Sequence, residues 1–232
     1  MTRRVAVALA AVAVLAGGCA ELADVTDGVG SSPSVAIDRV PEGTPDAATA
    51  RTTLTSLTVA PPGPLDGYER DCEQGSACVF GQPWYDVDGD GCDQRSQVLA
   101  RDLADVTRKK DGRCAVASGT LDDPYTGEQV TAVSKIQIDH VVPLAEMWRS
   151  GAAGWPAERR VAAANDLANL IAVQGKANQS KSDKTPDQWM PPNAGYACPY
   201  ARVYIGVKGK YGLTVSDPER AALESALARC RT

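Results

Sequence analysis

Seven cysteines constrain this 232-residue chain more than any other feature it carries: Cys19, Cys72, Cys78, Cys92, Cys114, Cys198 and Cys230. Cys19 closes an apolar N-terminal run. Setting it aside leaves six, an even number suited to disulfides in an oxidising compartment. No CxxC pair occurs, so a four-cysteine zinc site is not expected and the cysteines read as structural. Six cysteines admit 15 pairings. The expectation is the sequential set: Cys72–Cys78, Cys92–Cys114 and Cys198–Cys230.

The N-terminus reads as a targeting segment. Arg3 and Arg4 form a basic start, and Val5 to Ala16 is apolar but too short to span a bilayer comfortably. Leu15-Ala16-Gly17-Gly18-Cys19 resembles a bacterial lipobox, with Ala16 standing where such boxes prefer Leu or Val. That resemblance implies cleavage before Cys19 and lipidation of its thiol; the alternative is a simple secretory signal cut nearby. Glu21 to Pro45 is rich in Gly, Pro, Ser and Thr and lacks apolar periodicity, the composition of a tether. The expected organisation is therefore a signal peptide over 1–18, a lipidated cysteine and flexible tether over 19–46, and one folded domain over 47–232. The expected location is secreted or cell-surface, anchored to the outer face of a membrane through Cys19.

The formal net charge is −5, and the mature chain becomes more acidic once Arg3 and Arg4 leave with the signal. This argues against a protein that coats nucleic acid, which shows a basic excess. It does not exclude a nuclease, because a metal site needs carboxylates. Two basic stretches, Arg101 to Arg113 and Arg202 to Lys210, read first as solvated faces.

Helices are expected over Ala47 to Leu57, Val98 to Lys110, Pro143 to Arg149, Ala157 to Ala164 and Lys176 to Lys181. A last helix is expected from Asp217-Pro218-Glu219 to about Cys230. Thr131 to Ile138 and Leu170 to Val173 read as strands, with Asp123-Pro124-Tyr125-Thr126-Gly127 as a turn. The pattern is mixed α+β with helices dominating.

His140 is the only histidine. It ends a β-like run and follows Asp139 directly, in Ile138-Asp139-His140-Val141-Val142-Pro143. An imidazole beside a carboxylate at a strand end can act as a general base next to an oxygen-ligated metal. Downstream come a helical insert, Asn169-Leu170-Ile171-Ala172-Val173, and a helix carrying Asn178-Gln179-Ser180-Lys181. Asn169 and Asn178 stand nine residues apart. This order resembles the HNH, or ββα-metal (His-Me finger), nuclease motif. Further segments are similar to a secreted bacterial HNH family related to the nuclease domain of GmrSD-type restriction enzymes. They are Trp84-Tyr85-Asp86-Val87-Asp88, Gly91-Cys92-Asp93-Gln94-Arg95, Asp123-Pro124-Tyr125-Thr126-Gly127 and Trp189-Met190-Pro191-Pro192-Asn193. The resemblance extends over about residues 50 to 230.

The resemblance implies a ββα-metal core embedded in a mostly helical, disulfide-stapled single domain. It also implies a monomeric, metal-dependent endonuclease that hydrolyses phosphodiester bonds of DNA, with RNA left open. His140 would deprotonate water, and Asp139 and Asn178 would ligate one divalent ion. Asn169 would hold the loop that orients the imidazole. A carboxylate with an amide oxygen suits Mg²⁺ or Mn²⁺ better than Zn²⁺, and no organic cofactor is expected. Lys181, with Lys184 beside it, and Arg95 are candidate phosphate contacts, the arginine as a bidentate one. The chain departs from the family at the last motif position, often histidine and here Asn178. With no second imidazole, any pH dependence near neutrality is expected to belong to His140.

Two other readings stand beside this one. A scaffold of the same fold without catalysis would act as a binding lipoprotein. A Ca²⁺ module would be built on Asp86 to Asp93, which matches the first half of an EF-hand loop; its twelfth position, counted from Asp86, is Gln97 instead of Glu. Trp84, Trp148, Trp155 and Trp189, like Tyr196, Tyr200 and Tyr204, read as core residues before base-stacking ones.

Overall fold

The computed structural model describes residues 38–231 apart from 74–75, 88 and 111–113. The expected signal peptide, Cys19 and the tether up to residue 37 lie outside the described residues. Residues 38–46, read above as the end of that tether, are instead bonded to the domain. Arg39 donates to the carbonyls of Asp102 (2.5 Å) and Asp122 (2.9 Å), Tyr196 Oη to the Arg39 carbonyl (2.9 Å), and Arg202 Nε to the Pro45 carbonyl (2.7 Å).

In chain order the elements are α1 (Ala47–Ser56), α2 (Gln94–Asp102), β1 (Ala104–Arg108), β2 (Val116–Asp122), β3 (Gln129–Val130), β4 (Ile136–His140), α3 (Leu144–Arg149), α4 (Ala157–Ala164), β5 (Leu170–Gln174), α5 (Gly175–Lys181), α6 (Ala197–Tyr211) and α7 (Asp217–Leu227). This is a mixed α+β domain with more helix than strand. All three disulfides are the sequential ones. Among the described residues no helix is long and apolar enough to cross a membrane.

Several boundaries differ from expectation for physical reasons. The helix predicted over Val98 to Lys110 stops at Asp102, where the buried Asp102 carboxylate accepts from Arg101 and from Ala172 N. The β-branched Val106 and Thr107 then lie in β1, where Thr107 pairs with Ser118 of β2. The strand predicted from Thr131 begins only at Ile136, after a short 3₁₀ turn over Val133–Lys135. The last helix is capped by Ser216 in a capping box with Glu219, and it ends at Leu227.

The basic stretch Arg202 to Lys210 is no solvated face. It forms most of α6, the longest helix among the described residues, which ends at Gly212 in the left-handed region (φ 65°). Tyr196, Tyr200 and Tyr204 are fully buried around it, as expected of core aromatics. Lys208 is also fully buried, ion-paired to Glu146 (2.8 Å) and Glu219 (2.7 Å) and donating to the Thr214 carbonyl (2.7 Å). Tyr204 Oη adds a 2.5 Å bond to Glu219.

β1, β2 and β3 form one antiparallel sheet, and β4 and β5 another. The small sheet lies between two cores. Ile136, Ile138, Leu170 and Ala172 face a cluster with Val98, Leu99 and Leu121, whereas Ile171 and Val173 join the larger cluster around α6. The register pairs Ile136 with Gln174 and His140 with Leu170. On the outer edge of β5, two N–H groups are taken by carboxylates, Ala172 N by Asp102 (2.8 Å) and Gln174 N by Asp123 (2.9 Å). That edge is closed to a further strand.

Candidate active site

β4 delivers Asp139 and His140 at its C-terminal end. The chain then leaves through Val141–Pro143 and returns at Asn169. The fully buried Asn169 ties these two points together: its Oδ1 accepts from Val142 N (2.8 Å) and its Nδ2 donates to the Val142 carbonyl (3.0 Å). Val141 N donates to the Asn169 carbonyl (2.9 Å). These bonds satisfy loop backbone that water cannot reach, and they fix the exit of His140 from the strand.

His140 Nε2 lies 2.7 Å from the Ala164 carbonyl. A carbonyl only accepts, so Nε2 carries the proton and Nδ1 keeps the lone pair. Ala164 is the last residue of α4, where terminal carbonyls have no helical partner. Desolvation pushes the imidazole down from 6.5 to about 4; the Ala164 bond opposes this, and the charges of Arg70 and Lys181 add to it. The ring is neutral at physiological pH.

Asp139 is 5% exposed, and both its oxygens accept protein bonds. Tyr125 Oη donates to Oδ2 (2.6 Å), and Lys181 Nζ to Oδ1 (3.0 Å) and also to the His140 carbonyl (2.8 Å). Burial raises the Asp139 carboxyl, with the charge of Lys181 and the bonds from Tyr125 and Lys181 working against it. Burial and the Asp139 charge push Tyr125 far up, so it stays a phenol and a donor. Asn178 donates from Nδ2 to Gln137 Oε1 (2.9 Å), which fixes its amide; its oxygen meets no donor among the described residues.

Asp139, His140 and Asn178 line one cleft of about 380 Å³, together with Tyr68, Arg70 and Asp183. Lys181 does not reach that cleft as a phosphate contact would. It is fully buried, because its ammonium neutralises Asp139 beneath the loop. Arg95 is held at the opposite end of β4, donating to the Ile136 carbonyl (3.2 Å), and does not line the cleft. Four residues of strand at about 3.3 Å each put that carbonyl roughly 13 Å from His140. Lys184 folds back onto the Ser180 carbonyl (2.7 Å).

The basic group that does line the cleft is Arg70, half-buried and without a carboxylate partner among the described residues. It was not singled out above, because residues 58–81 carry no periodicity. The nearby Cys72 and Cys78 were the available signal. Their disulfide, a Val79 N to Glu69 carbonyl bond (3.0 Å) and the edge-on packing of Tyr68 against Phe80 and Trp148 hold this loop in place.

The acidic run behind the calcium reading serves local turns. Asp86 accepts from Gly89 N (2.8 Å) and Gly91 N (2.9 Å), and Asp93 caps α2 through Ser96 N (2.6 Å). Asp88 lies outside the described residues. Among the described residues no group of three or more His, Cys, Asp or Glu is placed to hold a metal ion.

The family model for the C-terminal domain of GmrSD restriction endonucleases matches residues 93–225. A protein of Arthroderma benhamiae described as an uncharacterized secreted protein is 45% identical over 192 residues, covering 82% of this chain and 89% of its own length. That relative is fungal, so it lends no support to the bacterial origin implied by the resemblance above. No solved structure matches.

Proposed function

The chain belongs to the family of GmrSD restriction endonuclease C-terminal domains, and from that premise we propose that it is a secreted, metal-dependent DNA endonuclease of HNH type. In this reading β4, β5 and α5 form the ββα-metal core. The observation that carries it is the placement of a neutral imidazole of fixed tautomer in one cleft with Asp139, Asn178 and Arg70. His140 Nδ1 takes the proton from the attacking water. The Ala164 carbonyl steadies the ring as it becomes cationic, since a hydrogen bond strengthens when its donor is charged.

Asp139 and Asn178 would hold the divalent ion. The donor set fits: both are hard oxygens lining the cleft, the Asn178 oxygen meets no donor among the described residues, and a carboxylate oxygen bonded once retains a lone pair. Two protein ligands suit Mg²⁺ or Mn²⁺, which keep several waters. When bound, the ion supplies Lewis-acid stabilisation of charge on the phosphoryl and leaving oxygens. Lys181 positions Asp139 and the His140 carbonyl, while Arg70 offers a planar guanidinium to a phosphate. The apolar N-terminal run before Cys19 and the relative's description as secreted support export, with anchoring where Cys19 is lipidated.

A second reading is favoured by one observation. Both Asp139 oxygens are already bonded, and the Lys181 ammonium lies beside them, as expected of a silent binding scaffold. Plasmid nicking by the oxidised protein in Mg²⁺ or Mn²⁺, with EDTA and His140→Ala as controls, separates the two. The expected loss in His140→Ala is at least about a hundredfold, the lower range for a general base. No nicking supports the silent scaffold, whereas equal nicking by both proteins defeats His140 as the base.

A further inference from the structure

The His140 cleft does not end at Asn178. Gln137 and Gln179 line both it and a second groove of about 470 Å³, so the two depressions adjoin. The second groove carries Lys135 and Lys176 beside Gln129 and Gln174, whose Nε2 groups donate to Asp122 (3.1 Å) and Glu128 (2.8 Å) at its margin, and among the described residues no carboxylate lines the groove itself. Both lysines are exposed, and neither pairs with a carboxylate among the described residues. Gly175 lies between them. A Cβ there would stand 3.1 Å from the Lys135 carbonyl and 3.3 Å from the Gln137 amide, so glycine lets α5 start tight against β4.

The other flank has the opposite character. Asp183 lines both the cleft and a third depression of about 480 Å³ that carries the exposed Asp187 and Asp217. Its arginine, Arg149, is held by Asp183 at 3.3 Å. A polyanion leaving the cleft therefore meets cations in one direction and carboxylates in the other.

We infer that the groove of Lys135 and Lys176 is a track for the sugar–phosphate backbone of a nucleic-acid strand, which runs from the scissile phosphate toward this side. The inference rests on the nuclease reading and adds to it where the substrate lies. The ammonium groups meet successive phosphates, and the amides of Gln137 and Gln179 donate to phosphate or sugar oxygens. Gln137, whose Oε1 is fixed by Asn178, joins the track to the cleft.

The test compares Lys135→Ala/Lys176→Ala with Lys109→Ala/Lys110→Ala, an equal change of charge on exposed lysines elsewhere. The readout is kcat/KM for DNA divided by kcat/KM for bis(4-nitrophenyl) phosphate, a diester too small to enter the track. The ratio is expected to fall about tenfold in the groove variant and less than twofold in the other. The salt dependence of KM for DNA should flatten by roughly 1.4 to 1.8 in log–log slope, the release expected for two phosphate contacts. Equal ratios, or an unchanged slope, overturn the track and leave the nuclease standing. If the wild type hydrolyses neither substrate, the enzymatic reading fails. Binding of a fluorescent oligonucleotide by the same variants then decides: tenfold weakening confined to the groove variant supports the track, and equal or absent binding ends it.

Discussion

His140 is a proton acceptor of different strength in the folded and unfolded chain. Its ordinary value of 6.5 drops to about 4 in the fold, because burial disfavours the charged ring. Between those values the unfolded state binds more protons. The contribution of His140 to stability is therefore complete above 6.5 and drains away as the pH falls toward 4. In EDTA, the melting temperature of the wild type should fall faster across that window than that of His140→Gln, which keeps a donor for Ala164 without titrating. Parallel curves would show an unperturbed imidazole. The same shift carries the acid limb of any activity below the neutral range expected of a free histidine. The pattern of Asp139, His140, Asn169 and Asn178 was legible because it is written in local order: strand end, loop, strand start, helix. The destinations of Lys181, Arg95 and Arg70 were not. A long cationic side chain goes where burial and partners take it, and the partners of Lys181 and Arg95 lie 42 and 41 residues away.

At the scale of elements, α6 shows how a charge pattern misleads. Three of its residues, Arg202, Lys208 and Lys210, read as a wet face, yet all three are engaged, and Lys208 sits in the core between two glutamates. Periodicity alone cannot reveal that a lysine is inside, because its neutralising partners come from α3 and α7. Lys208→Met should cost about 3–5 kcal/mol in urea unfolding, since it strands Glu146 and Glu219 without their cation. Lys210→Met removes an exposed pair with Asp166 and should cost under about 1 kcal/mol. Similar losses from the two would mean that the buried cluster is not holding α6 to its neighbours. The α2–β1 boundary was obscured in the same way, because Val98, Leu99, Leu103 and Val106 suit one long helix. Only the docking of Asp102 onto β5 shows where it must stop.

Taken whole, the molecule depends on chain outside its most recognisable stretch. Ala50 and Leu54 of α1 and Leu57 just after it, together with Phe80, belong to the large core, and Arg70 reaches the cleft from the same region. The disulfide partners mark this most sharply. Residues 93–225 contain Cys114 and Cys198, whose partners Cys92 and Cys230 fall just beyond either end. A fragment cut to that stretch carries two thiols and no mate for either, beside a core short of its N-terminal wall. Refolded under oxidising conditions, residues 93–225 should migrate as cross-linked oligomers on a non-reducing gel, whereas residues 38–232 should run as a monomer. A monomeric, cooperatively melting fragment would refute this. The stretch that the family model matches is thus shorter than the unit that folds, which reaches back past Cys92 to the first helix and forward to Cys230.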